Sequence, residues 1–161
     1  MAKKVKVKKT LVEQILTKAG IDHQGIQINA LEGELPSGYE RNHIFKTLAL
    51  LGDKTGPVIG IVPITEHLSE KKLAKISGNK KVSMIPQKDL EKTTGYIHGA
   101  NNPVGIRQKH NYPIYIDETA LELEKMIVSA GEVGHSIIIS PKDLANFVKA
   151  SFVDILEESN S

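Results

Sequence analysis

The chain has 161 residues, 40% of them hydrophobic and 25% charged, with a formal net charge of +2 and no cysteine. This composition fits a single soluble globular domain over residues 1–161. It excludes a disulfide framework, a cysteine nucleophile and thiolate-held metal.

Charge is unevenly placed. Lys3, Lys4, Lys6, Lys8 and Lys9 crowd the start of the chain. Residues 1–9 therefore read either as a basic arm that holds phosphate backbones or as a solvated, frayed terminus. The segment MAKKVKVKK lacks the long apolar stretch of a signal peptide. No apolar run reaches the length of a membrane span, and the expected compartment is the cytoplasm.

In chain order, Thr10 with Glu13 forms a capping box for a helix whose apolar positions are Leu11, Val12, Ile15, Leu16 and Ala19. Ile26 and Ile28, extending toward Ala30, alternate as a strand. The stretch LEGELPSGYERNH is turn-rich and reads as a mobile connection. Ile44 to Leu51 and Pro57 to Pro63 form a hairpin across the GDKTG turn. Lys46 lies on the first of these strands among apolar neighbours. It either snorkels to solvent or stands at a cleft mouth, where it would suit a phosphate or carboxylate. Ser69 caps a helix over Glu70–Ser77 that Gly78 ends. Lys80 to Ile85 is a short strand, and Pro86 begins a brief helix, PQKDLEKT.

Thr93 to Gly105, TTGYIHGANNPVG, follows. Three glycines and a proline in thirteen residues point to a shaped loop with spare backbone amides. A plain irregular connection is the alternative. Tyr112 to Ile116 is a strand, and Asp117 caps a short helix, ETALEL. Lys125 to Ala130 and Ser136 to Ile139 are strands joined by GEVG. Ser140 and Pro141 open a helix as cap and first-turn residue. Phe152 and Val153 add a strand segment, and residues 156–161 form a flexible tail. Hairpin-like pairs alternating with helices predict a mixed α/β fold, with a curled, barrel-like sheet and peripheral helices.

No catalytic constellation emerges from motifs. The six histidines form no HxH, HxxxH or HExxH pattern, so neither a metal nor another cofactor is expected. Of these, His98 alone sits inside the glycine loop. There is no GxSxG elbow, and no base is signalled near Ser129. Phosphate-binding glycine loops with the right spacing are lacking, as are RNA-binding motifs with interleaved aromatics. An enzyme built from these residues would rely on the loop backbone and on its substrate, because free N–H groups can polarise a carbonyl or hold an oxyanion.

Three stretches together carry a family resemblance: IFKTLAL with Lys46, KTTGYIHGANNPVG (Lys92–Gly105), and IVSAGEVGHSIIISPKDLANFVKASFVDI (Ile127–Ile155). In order and spacing the chain resembles the YbaK/EbsC family from about Thr10 to Ile155. These are freestanding relatives of the editing domain inserted in bacterial prolyl-tRNA synthetases. The resemblance implies a YbaK-like fold and trans-editing deacylation of mischarged tRNA, most similar to members that clear cysteine from tRNA for proline. It implies no protein nucleophile: the substrate thiol attacks its own ester and leaves as a cyclic thiolactone.

Carried over by position, Lys46 contacts the terminal adenosine or its phosphate, and Thr94, Gly95 and Tyr96 shape the pocket wall. Gly99 and Ala100 present the backbone that polarises the ester carbonyl. Ile28, Pro103, Ser129 and Ser136 complete the substrate site. The implied partner is the aminoacylated CCA end of tRNA, with prolyl-tRNA synthetase as a candidate second partner. The chain departs from the family at Ala100 (usually Gly), Asn102 (Ser), Ser136 (Asp), and at Ile28 and Asn29, where an aromatic and an acid are common. Deacylation of another small amino acid such as alanine, or non-catalytic binding of a tRNA end or a synthetase, are the alternatives.

Overall fold

The computed structural model describes residues 9–28 and 35–158. Most of the basic arm, Asn29, Ala30, the start of the turn-rich connection and the SNS end lie outside those residues. The helices are α1 (Leu11–Lys18), α2 (Glu70–Ser77), α3 (Gln87–Thr94), α4 (Pro103–Lys109) and α5 (Pro141–Val148). The strands are β1 (His23–Gln27), β2 (Phe45–Gly52), β3 (Gly56–Pro63), β4 (Val82–Met84), β5 (Ile114–Asp117), β6 (Met126–Glu132), β7 (His135–Ile139) and β8 (Ser151–Val153).

Local chemistry sets the helix ends. Thr10 Oγ1 accepts from the Glu13 amide at 3.2 Å, and the Glu13 carboxylate accepts from the Thr10 amide at 2.8 Å. Both donors would otherwise lack a partner in the first turn. At α2 and α5 the Ser69 and Ser140 hydroxyls accept from the Lys72 and Asp143 amides, without the reciprocal carboxylate bond. Asn79 fixes the hairpin turn from outside it. Its Oδ1 accepts from the Lys54 and Thr55 amides, and its Nδ2 donates to Thr55 and Ser77 hydroxyls.

The strands form two sheets. One has the order β1-β7-β6 and is antiparallel throughout. The other has the order β4-β2-β3-β5-β8, with β3–β5 and β5–β8 parallel and the remaining pairs antiparallel. Parallel pairing requires long crossovers, and α2 to α4 and then β6, β7 and α5 supply them. The mixed α/β class expected from the sequence is therefore present. The single curled sheet is instead two sheets that touch where Ile44 bridges Ile127 in parallel.

Strand β2 separates two packed layers. Phe45 and Ala49 face the main core, which also holds Ile59, Ile61, Val104, Ile116 and Leu144. Leu50 faces a second cluster under α2, with Val58, Val62, Leu73 and Ile155, and Leu48 packs at its edge. Two-residue alternation puts Lys46 on that second side.

The main departure from expectation is α4. The glycines and proline of TTGYIHGANNPVG predict an irregular stretch through Gly105, with no helix between that loop and β5. The chain in fact becomes helical at Pro103. Asn102 is its cap, with Oδ1 accepting from the Gly105 amide at 2.6 Å, and Pro103 is its first residue. Proline suits that position because its missing donor would have had no partner. Gly105 weighed against a helix, yet it is required there for packing against Tyr96.

Candidate active site

Strand register gathers the residues of the site. Ile26 pairs with Ser136 on β1–β7, and Ser136 pairs with Ser129 on β7–β6. The Ile44–Ile127 bridge runs parallel. Two residues further along each strand stand Lys46 and Ser129, on the same side as the bridged pair. A row Ile26–Ser136–Ser129 thus crosses the first sheet, and the single Ile44–Ile127 bridge brings the start of the Lys46 strand against it. Its floor is the buried cluster Ile44, Ile127 and Ile138, with Tyr39 and Ile64 packed at the edge. Ile28 follows β1 on the same alternation. It is buried, and its amide donates to the Gly134 carbonyl at 2.9 Å.

The glycine loop comes over this row. The Ser129 hydroxyl donates to the Gly99 carbonyl across 3.5 Å and accepts from the Gly131 amide at 3.2 Å. Gly99 has φ +89° and is exposed, a conformation that favours glycine. The Ala100 amide, in contrast, donates to the Ile97 carbonyl at 3.0 Å and closes the turn. Among the described residues the amides of His98 and Gly99 have no acceptor. The amides open to a ligand are therefore those of His98 and Gly99 rather than that of Ala100.

Buried asparagines hold the loop from behind. Asn101 donates from Nδ2 to the Thr47 carbonyl at 3.1 Å, tying the loop to the strand that carries Lys46. Asn102 donates to the Ala100 carbonyl at 3.0 Å while it caps α4. Thr94 is fully buried. Its hydroxyl donates toward Leu90 and Tyr96 carbonyls and accepts from the Tyr96 amide. Gly95 ends α3 with φ +88°.

The Tyr96 ring lies against α4, where a Cβ at Gly105 would overlap it, and Lys109 Nζ sits 5.3 Å from its centroid. Thr94, Gly95 and Tyr96 thus brace the loop and give it shape. Asn101 and Gly131 were not singled out from the sequence. The Asn-Pro cap signal at 102–103 was legible but was read as part of the loop.

Lys46 also borders an open cavity of about 400 Å3, lined by Leu48, His67, Leu68, Glu70, Met84 and Glu157 as well. No loop residue lines it. Among the described residues no cluster of His, Asp and Glu suits a metal ion. No described helix is long and apolar enough to cross a membrane.

The mixed α/β scaffold sets a glycine turn against Ser129, and among the described residues no histidine or carboxylate hydrogen-bonds to the Ser129 hydroxyl. A sequence profile of the aminoacyl-tRNA editing domain matches residues 36–147, and the chain belongs to that family. The Enterococcus faecalis protein EbsC is 38% identical over 162 residues, 96% of this chain and 98% of its own. It is provisionally named a Cys-tRNA(Pro)/Cys-tRNA(Cys) deacylase.

Among solved structures, a scaffold from computational epitope grafting matches with a TM-score of 0.79 at 25% identity, covering 92% of this chain and 96% of that one. A structure provisionally described as a trans-editing enzyme for prolyl-tRNA synthetase matches at 0.76 and 21% identity, covering 91% and 95%. The resemblance read from the three sequence stretches is borne out.

Proposed function

We propose that the protein is a trans-editing deacylase that releases cysteine from mischarged Cys-tRNA(Pro). Family membership and the likeness to EbsC support this reading. The observation that carries it is the Ser136–Ser129 pair with the Gly99 carbonyl against the Ser129 hydroxyl, on the strand that the Ile44–Ile127 bridge joins to the start of the Lys46 strand. Lys46 takes a phosphate or the terminal adenosine. The Gly99 amide polarises the ester carbonyl, and Ala100 closes the turn that presents it. Ser129 and Ser136 line the space for the amino acid, with Ile28 at its end. Thr94, Gly95, Tyr96 and Pro103 hold the loop in shape.

In the reaction the substrate thiol loses its proton and its sulfur attacks the ester carbon. The bond to the ribose oxygen breaks, that oxygen takes a proton, and a thiolactone and free tRNA leave. A thiol of ordinary pKa about 8.5 supplies a small thiolate fraction near neutrality. Holding it in attacking geometry is worth several powers of ten in rate. The protein acts in the cytoplasm as a single domain over residues 1–161, with aminoacyl-tRNA as its substrate and prolyl-tRNA synthetase as a candidate partner.

A second reading follows from the same row. Two small hydroxyls beside Ile26 and Ile28 also admit an alanyl group. A panel of mischarged tRNAs tests both readings. Cys-tRNA(Pro) should release tRNA fastest, and an analogue with hydroxyl in place of thiol should survive. Equal cleavage of the analogue would refute thiol assistance. Protection of the CCA end without turnover on any member of the panel would refute an enzymatic role.

A further inference from the structure

The cavity beyond Lys46 is not used by the reaction described above. It lies on the α2 side of β2, whereas Ser129 and the Gly99 loop lie toward the other sheet. Lys46 therefore stands between the ester site and the cavity. Its volume of about 400 Å3 is in the range of small-molecule sites. Leu48, Leu68 and Met84 supply apolar surface, and Met84 is 46% exposed. Its polarizable thioether suits the face of a flat ring.

The polar rim carries charges of both signs: Lys46, Glu70 and Glu157. Among the described residues Lys72 takes up Asp154 and Glu158, at 3.1 and 3.0 Å. Lys46, Glu70 and Glu157 make no such ion pair among the described residues. The Glu157 amide donates to the His67 carbonyl, which fixes both residues at the same edge. The rim thus offers two carboxylates to a donor and one lysine to an anion. A free phosphate would meet net repulsion from the two acids. A group that presents phosphate on one side and an exocyclic amine on the other fits both.

On this basis we propose that the cavity is a subsite for the nucleoside that precedes the terminal adenosine, and that it selects cytosine. The strand of RNA passes from the ester at Gly99, through the terminal adenosine and a phosphate at Lys46, into the cavity. The Glu70 and Glu157 carboxylates accept from the cytosine amino group, the pairing that acids make with this base. Unstacked single-stranded ends are the form of RNA whose base edges can be read in this way. The proposal rests on the deacylase reading for its direction, and its test is independent of turnover.

The experiment uses the full chain and 5′-labelled RNA hairpins, without an amino acid, that end in CCA or CUA. Uracil carries a carbonyl where cytosine carries the amine. Binding is measured by fluorescence anisotropy at fixed salt, for the wild type and for the doubly substituted Glu70→Gln, Glu157→Gln protein. The wild type is expected to bind the CCA hairpin about tenfold more tightly than the CUA hairpin, in line with one good base-edge contact. The double variant should lose that preference while it keeps its melting temperature. An equal preference in both proteins, or none in the wild type, overturns the subsite. A preference that persists where no mischarged tRNA is hydrolysed keeps the subsite and removes the deacylase reading. Hydrolysis without base preference does the reverse.

Discussion

Replacing Gly105 by Ala sets two effects of opposite sign against each other. In a helix interior alanine is favoured over glycine by about 1 kcal/mol, so propensity alone predicts a more stable protein. Packing predicts the opposite. A Cβ at Gly105 would overlap the Tyr96 hydroxyl and two carbons of its ring, so loss of the hydroxyl alone would not relieve the contact. The ring has little room to settle nearby, because a Cβ built on Gly131 would already stand 3.4 Å from it on another side and Lys109 lies over its face. Overpacking of this kind costs about 1–3 kcal/mol. The net expectation is a loss of about 1 kcal/mol, which lowers Tm by about 2–4 °C for a domain of this size.

The functional effect should be larger. Tyr96 opens the loop that ends at the Ala100 turn, so the displaced ring moves Gly99 relative to Ser129. Thermal unfolding and deacylation of Cys-tRNA(Pro), measured on the same preparation, check both parts. Combining the change with Tyr96→Ala should restore part of the lost stability, since the obstructing ring is gone. A Gly105→Ala protein more stable by the full propensity gain, with unchanged activity, would show that Tyr96 is not wedged against α4.

Lys46→Ala should reduce deacylation about 10- to 100-fold, the range for a hydrogen bond to a charged group, with little change in Tm; steady-state kinetics with charged tRNA measure this. Asn79→Ala removes a buried side chain that serves four partners at the β2–β3 turn. It should cost about 2–3 kcal/mol in denaturant unfolding and leave kcat unaltered, since the turn lies away from the site. Asp53 accepts from the Lys81 and Lys80 amides, chiefly the former, and these bonds hold its carboxyl below the ordinary 3.8. A depressed native pKa stabilises the fold at pH above the unfolded value and is lost as pH falls through the folded one. Asp53→Asn should therefore lower stability modestly at neutral pH, converge with the wild type as pH falls below about 4, and so flatten the acid limb of the stability–pH curve, as urea unfolding across that range would read.

Much of the secondary structure was legible because its signals are local. Thr10 with Glu13, Ser69 with Gly78, and Ser140 with Pro141 mark helix ends by hydrogen bonds within one turn, and the structure uses each as a cap. The hairpin around GDKTG and the strands flanking GEVG followed from alternation and turn residues. Helix α4 was missed because Gly105 argues against a helix locally, and only the approach of Tyr96 from α3 explains it.

The site residues were found by their resemblance to a family, not by their chemistry, and alternation along β2 alone could not say which way Lys46 faces. Tertiary structure decided that question. The parallel bridge between Ile44 and Ile127, 83 positions apart, joins the two sheets and brings the start of the Lys46 strand against the strand that carries Ser129. It also separated two adjacent residues of the loop. Sequence placed Gly99 and Ala100 together as carbonyl-polarising backbone, whereas the turn engages the Ala100 amide and leaves that of Gly99 open. Caps and alternation are fixed by neighbours within a few residues. The direction of an amide and the partner of a strand edge depend on chain segments that meet only when the fold closes.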